Sequence, residues 1–363
     1  MTGIHSARIE KIRDALDGAK LDGALFLVQE GLGWEDCFYL SGFRGSSAAL
    51  LITEKESVLL TDGRYITQAR AQTRCDVIDQ GKRAILDALS SIMEKRGVKT
   101  VGIVPRKMLY SSIQGLTGSG AAPADFSSHM TKLRRSKEPC EIDFIRRAAG
   151  IASRSLEETV EQTEEGVTES GLAAMLEYRI RMSGEEPWGE HGFIVASGEN
   201  SALPHAVPGP RSINSGEWAV VDYGVRTGGY VCDLTRILSF GSLSPWMTSI
   251  HDILAEAREA ALNVLSAGVP AAEVDRAARN VIEASGYGEY FNHGLGHGIG
   301  LELHEPPVLS FRSLDILTEG DVVTVEPGIY VPGKGGARIE DDYLITPSGY
   351  EHVGSFLPTL LRC

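Results

Sequence analysis

The segment VVDYGVRTGGYVCDLTR, residues 220–236, reads as two apolar strands joined by a tight turn. β-Branched residues populate both arms, and Thr-Gly-Gly between them is turn chemistry. A two-residue turn at Thr227 and Gly228 puts Asp222 directly opposite Asp233, with Cβ atoms about 5 Å apart. Like charges so placed repel, and a bare pair would weaken the hairpin. A divalent cation between them reverses the sign of that interaction. The bland alternative is two solvated acids on a surface ribbon. Val220, Val221, Val231 and Leu234 argue against it, because apolar neighbours flank both carboxylates.

The device recurs near the C-terminus. Glu326 in TVEPGIYV and Glu340 in ARIEDDYL flank a turn at 332–336. A loop centred on Gly333 makes the two glutamates face each other. Both lie in apolar strand texture, where an unpaired carboxylate is costly. Between the two acidic pairs comes HGLGHGIGLELHEPP, residues 293–307, with His293, His297 and His304 spaced by glycines. Glycine admits positive φ and lets backbone approach closely, so the run brings imidazoles to one place. With His297 added, two Asp, one His and two Glu form a carboxylate-rich donor set. Such a set suits two divalent ions bridged by carboxylates, which would make water acidic enough to act as a nucleophile near neutral pH.

A chain of 363 residues exceeds what one core usually supports, so two domains are expected. Residues 1–128 read as α/β: a helix at 6–18, strands at 23–29, 48–53 and 57–62 with a hairpin turn at 54–56, a helix at 82–96 and a strand at 100–104. Residues 129–363 read as α+β. A helix at 137–162 takes Ser136 as its cap, with Pro139 in its first turn. A second helix runs from Thr168 to Ser183, and others cover 246–266 and 270–285, among strands starting at 193. The formal net charge of -14 argues against nucleic acid or an anionic membrane as a partner. No apolar run has the length of a membrane span, and MTGIHSARIEKIRDAL lacks the apolar core of a signal peptide. Five dispersed cysteines without CxxC spacing suit reduced thiols and a cytoplasmic setting.

In the order DYG…DLTR, HGLGHGIG, HE, VEPGIY and RIEDD, the second domain resembles the metallopeptidases of the prolidase, aminopeptidase P and methionine aminopeptidase type. FYLSGFRGSSAALLIT and TDGRY resemble the creatinase-type N-terminal domain of Xaa-Pro peptidases, which methionine aminopeptidases lack. The resemblance implies a creatinase-like domain at 1–128 and a pita-bread catalytic domain at 129–363. It implies metal ligation by Asp222, Asp233, His297, Glu326 and Glu340, with Asp233 and Glu340 bridging two ions (Mn, Co or Zn). His205 matches a histidine near substrate, His293 one on the substrate side of the site, and His304 one that contacts the scissile carbonyl. Glu326 is the expected proton shuttle. Arg338 matches an arginine behind the ligands, and Arg312 a carboxylate-binding arginine of some prolidases. Arg44 stands where relatives often have Thr.

The substrates so implied are Xaa-Pro dipeptides or longer peptides with an N-terminal Xaa-Pro bond, leaving dipeptidase and aminopeptidase P both open. Metal-free creatinase and non-catalytic binding modules share the fold, but the intact ligand set argues against both. A homodimer is expected, in which the Trp34 loop (GLGWEDCFYLSGF, 31–43) of one protomer walls the partner's proline pocket. Glu35 or Asp36 would then pair with the substrate amine.

Overall fold

The computed structural model describes residues 2–189 and 192–363. It divides into two units, Met1–Arg134 and Arg135–Cys363. The division falls beyond the expected 128/129 boundary because the helix Ser127–Arg135 runs through that position.

The first unit is built on a six-stranded mixed sheet. Gly23–Gln29, Ser47–Thr53 and Ser57–Thr61 pair antiparallel at its centre, the last two as the expected hairpin. Asp76–Asp79 joins one side parallel, and Thr100–Ile103 then Ala122–Asp125 join the other. The central strands are buried along nearly their whole length, which is why they read as continuous apolar runs rather than alternating ones. Leu25, Leu27, Leu51, Leu60 and Val101 pack against Ala88, Leu89, Ile92 and Met93 of the helix Ile85–Arg96.

One expectation in this unit fails. Residues 34–41 form a helix, Trp34–Ser41, between left-handed glycines 33 and 42. They are not a loop leading into a strand. The helix is short, and its apolar residues cluster in the run CFYL, so no period separates it from a strand. Trp34 is half-buried; its ring lies 5.8 Å from that of Phe38, and the Arg44 guanidinium sits 4.7 Å over it. Asp36 is buried and accepts hydrogen bonds from Lys107 Nζ (3.0 Å) and Arg134 Nη1 (2.6 Å). It is committed to this ion triad, so it is not a partner for a substrate amine.

In the second unit, the strands Glu217–Thr227 and Tyr230–Phe240 form the centre of one five-stranded sheet, with Glu186–Trp188, Ile194–Ser197 and Leu360–Arg362 beside them. The helices Pro139–Glu161 and Glu169–Met182 cover it through Ile151, Ala152, Leu156, Leu172 and Leu176. A second five-stranded sheet runs in the order Glu305–Leu309, Gly296–Gly298, Val322–Val325, Asp341–Thr346, Gly349–His352. The helices Pro245–Leu262 and Ala271–Ala284 cover that sheet through Ile250, Leu254, Val274 and Ile282. The helix Glu169–Met182 opens at Thr168 as expected, and Thr168 caps it by accepting from Gly171 N–H. Ser136 does not cap the first helix. Glu138 does, in a reciprocal capping box with Glu141, and Ser136 Oγ donates to the Glu319 carbonyl.

The hairpin registers place the carboxylates. The first turn is Gly228-Gly229, both at positive φ, with Thr227 paired to Tyr230. Asp222 therefore lies opposite Thr235, and Asp233 opposite Gly224. The expected direct opposition of Asp222 and Asp233 is wrong by two positions. A shift of two preserves the face, so the carboxylates remain on one side as diagonal neighbours. Two adjacent glycines serve a turn that needs positive φ at both central residues better than Thr-Gly does. In the second hairpin, Val325 pairs with Asp341 and Gly328 with Arg338, the register of a loop centred on Gly333. Glu326 and Glu340 stand at the break where each strand leaves the five-stranded sheet for the two-stranded ribbon Gly328–Val331/Gly335–Arg338.

Burial alone would raise the Asp36 pKa, but the Lys107 and Arg134 charges outweigh it and hold the carboxyl below its usual value. Its contribution to stability is thus present above the unfolded pKa of about 3.9 and is lost as pH falls through the lower folded value. Asp36→Asn removes the carboxylate that both buried cations meet most closely, leaving Lys107 with Glu35 at 3.5 Å. We expect a loss of about 3–5 kcal/mol, read as a lower urea midpoint with unchanged bound metal.

Candidate metal centre

Asp233, His297 and Glu340 converge, with one donor atom of each within 4.8 Å of the others, and all three side chains are buried. His297 Nε2 lies 3.7 Å from Asp233 Oδ2 and 3.5 Å from Glu326 Oε1. Asp222 joins through Arg338, whose Nη2 donates to Asp222 Oδ2 at 2.5 Å. The five residues singled out in the sequence thus meet, drawn from both five-stranded sheets. An isolated bridge between Thr235 and Glu340 ties the two sheets together there.

The backbone around His297 explains the glycines. Gly296 and Gly298 flank it without left-handed φ. A β-carbon at Gly296 would lie 2.1 Å from the Thr324 carbonyl oxygen, and one at Gly298 2.6 Å from that of Glu305. Close approach of neighbouring strands, rather than turn geometry, is what these positions require. His297 N–H donates to Thr324 Oγ1 (3.1 Å), and Glu326 N–H donates to the Leu295 carbonyl (2.8 Å).

The electrostatics are those of crowded, dry carboxylates. Burial pushes Asp233 well above the usual carboxylate range, and Asp222, Asp342 and Glu326 push it further. Glu340 is raised by burial and then by Asp233 and Asp222, and Glu326 by burial and then by Glu340. His297 moves the other way: burial, followed by His304, lowers it to about 3. Neutral imidazole beside acids that resist ionisation alone is the environment a divalent cation relieves, because the cation inverts every one of these interactions. The donor chemistry, oxygen with one imidazole nitrogen, fits such ions.

The other predicted residues surround this core. The His304 ring centroid is 4.1 Å from that of His297, and His304 is exposed. His293 Nε2 is 3.2 Å from Tyr330 Oη, and burial, with Arg338 nearby, depresses it to about 4. His205 is exposed, and its charge acts on His293; Pro204 before it accepts from Arg338 Nη1 (3.3 Å). Arg312 is exposed, its guanidinium 5.0 Å over Phe311. Trp34 belongs to the first unit.

Three residues escaped the sequence reading. Tyr330 accepts from Arg338 Nη1 (2.7 Å), Thr235 Oγ1 donates to Glu340 Oε2 (2.7 Å) and accepts from Arg338 Nε (3.1 Å), and Thr324 holds His297. Strand alternation carried a signal for two of them. Thr235 is two residues from Asp233. The turn that aligns Glu326 with Glu340 also sets Tyr330, opposite Gly336, diagonal to Arg338 on one face.

Residues 143–347 match the model of metallopeptidase family M24, and residues 8–136 match that of the creatinase/prolidase N-terminal domain. The chain belongs to metallopeptidase family M24. It is 34% identical to an Xaa-Pro dipeptidase of Pyrococcus horikoshii, over 96% of this chain and 97% of that one. Among solved structures it resembles an Xaa-Pro dipeptidase from Bacillus anthracis (TM-score 0.92, 35% identity, 99% of this chain and 100% of that one). It also resembles an X-Pro aminopeptidase from Thermotoga maritima (TM-score 0.90, 36% identity, 98% and 100%). The chain thus combines a creatinase-type N-terminal domain with a pita-bread M24 catalytic domain, and membership of this metallopeptidase family implies divalent metal ions.

Removing a central carboxylate should empty the site. Asp233→Ala and Glu340→Ala are expected to purify with little divalent metal by elemental analysis. His304→Ala should keep its metal; if His304 donates to the developing oxyanion, it should lose about 10²–10³-fold in kcat.

Proposed function

We propose that this chain is a dinuclear metallopeptidase that hydrolyses the bond between an N-terminal residue and proline. The observation that carries this reading is the buried Asp233–His297–Glu340 cluster with Glu326 and Asp222 beside it, in a chain that also has the creatinase/prolidase N-terminal domain. Asp222, Asp233, His297, Glu326 and Glu340 would hold two divalent ions, Mn, Co or Zn, with Asp233 and Glu340 shared between them. Such ions supply Lewis acidity toward a carbonyl and make water acidic.

The chain's own groups do the rest. His304, exposed above His297, and His205 donate hydrogen bonds to the oxygen that gains charge as the scissile carbonyl becomes tetrahedral. Glu326 takes a proton at its carboxylate from the water that adds to the carbonyl carbon and delivers it to the prolyl nitrogen as the C–N bond breaks. That delivery matters because the prolyl nitrogen must be protonated to leave as an amine when the C–N bond breaks. His293 stays neutral through the working pH range, since its pKa lies near 4, and serves as a neutral hydrogen-bonding wall toward substrate. Arg338 holds Asp222 and Tyr330 in place from behind.

Exposed Arg312 would take a substrate carboxylate, the role its match to a prolidase arginine implies. That favours dipeptides, the prolidase reading, over longer Xaa-Pro peptides. We place the enzyme in the cytoplasm, supported by Cys37, Cys75, Cys232 and Cys363 being free thiols. Among the described residues no helix is long and apolar enough to cross a membrane. We also propose a homodimer in which Trp34 and Glu35 of one protomer serve the partner's cleft.

Exhaustive chelation should abolish hydrolysis, and Mn, Co or Zn should restore it; activity that survives chelation excludes the metallopeptidase reading. Xaa-Pro should be cleaved faster than Xaa-Pro-Xaa, and Arg312→Ala should raise KM for the dipeptide by about 10-fold or more, the scale of a charged hydrogen bond. Equal KM values would remove Arg312 from the site. Trp34→Ala should raise KM without changing the sedimentation of the dimer, whereas a fully active monomer would refute the shared cleft.

A further inference from the structure

Lys137 Nζ donates to Glu305 Oε1 at 2.6 Å, and the two side chains are only 1% and 5% exposed. A fully desolvated ion pair is a poor stabiliser, because an apolar pair of similar volume does as well or better. Its worth must then lie elsewhere, and its position supplies a reason.

Glu305 follows His304 in the chain and pairs with Gly298, the residue after His297. Between His297 and Gly298 the register slips, so strand pairing alone does not fix this corner. The Glu305 carboxylate fills the gap. It lies so close to Gly300 that a β-carbon there would meet Oε1 at 2.4 Å. The Gly300 carbonyl in turn accepts from Val231 N–H (2.9 Å), in the strand that carries Asp233.

Lys137 is anchored from the opposite end. Its N–H donates to the Gly320 carbonyl (2.8 Å), Ser136 Oγ donates to the Glu319 carbonyl (3.0 Å), and Arg135 forms a two-pronged pair with Asp321 (2.8 Å each). Residues 135–137 are thereby stapled to the turn that opens the strand Val322–Val325, which ends beside Glu326.

We infer that Lys137 and Glu305 are positioning residues for the peptidase reaction: their buried ion pair holds the 298–305 loop so that the His304 imidazole stays over His297. The inference rests on the role proposed for His304. Lys137 touches neither metal nor substrate in this account and acts only through where it puts that ring. A ring displaced by about 1 Å can cost on the order of 10²-fold in rate.

The test is a double-mutant cycle in kcat on the full-length, metal-loaded enzyme, with Lys137→Met, Lys137→Arg, Glu305→Gln and His304→Ala. Lys137→Met and Glu305→Gln should each lower kcat by about 10- to 100-fold with metal content unchanged and KM moved much less. Lys137→Arg should recover part of the loss. Lys137→Met added to His304→Ala should cost nothing further. A full additional loss in the His304→Ala background, or wild-type kcat in both Lys137→Met and Glu305→Gln, overturns the inference. If Lys137→Met fails to fold, the same cycle run with Glu305→Gln decides. If His304→Ala alone keeps wild-type kcat, it is the role of His304 that fails, and the positioning inference falls with it.

Discussion

The second unit is arranged around mutual repulsion among buried carboxylates. Asp233, Glu326 and Glu340 are drawn together where water is scarce, with Asp222 at the edge. Two unit charges about 4 Å apart cost on the order of 4 kcal/mol even at the effective dielectric of a protein surface. Both the first hairpin and the break between strand and ribbon hold these groups against that force. The protein spends its strongest scaffold, long two-stranded pairings covered by helices, on a contact that is unfavourable without a counter-charge. That is the expected signature of a preorganised cation site, whose field is set before the cation arrives.

Arg338 shows how the repulsion is shaped. Burial opposes its charge, yet Tyr330, Asp222, Glu340 and Glu326 together keep it firmly protonated. Its guanidinium reaches Asp222, Tyr330, Thr235 and the Pro204 carbonyl. Four separate chain segments are thus referenced to one planar group with fixed donor directions, a task for which a lysine point charge is unsuited. Through Tyr330 the same group reaches His293. His293 and Asp222 are therefore joined in one hydrogen-bonded network through Tyr330 and Arg338.

Much of this was legible in the sequence because face, unlike exact register, follows from parity. Asp222 and Asp233 landed on a common face although the turn was placed at Thr227-Gly228 instead of Gly228-Gly229. A pairing register wrong by one instead of two would have put them on opposite faces. The Glu326/Glu340 register was read correctly because a single loop centred on Gly333 governs both strand segments. The Trp34 helix was not legible, since eight residues between glycines are too few to display a helical period. Nor was the fate of Asp36, whose partners Lys107 and Arg134 lie far along the chain. Ser136 does not serve as the cap because Glu138, two residues later, enters a reciprocal pairing with Glu141.

The glycines of 293–300 carry the final step. A ligand on an ordinary strand would owe its position to side-chain packing on either side, and packing tolerates small adjustments. Here the residues next to His297 have no side chains, and the strands Val322–Val325 and Glu305–Leu309 close on it backbone to backbone. The height of the imidazole is then set by main-chain hydrogen bonds and contact distances, which are far stiffer than rotamers. A methyl group at Gly296 could not be absorbed by a neighbouring side chain, because what it meets is a carbonyl. It would have to lift the whole strand, and His297 with it. Glycine therefore sets ligand geometry at this corner, just as parity sets it in the hairpins, and both act through backbone.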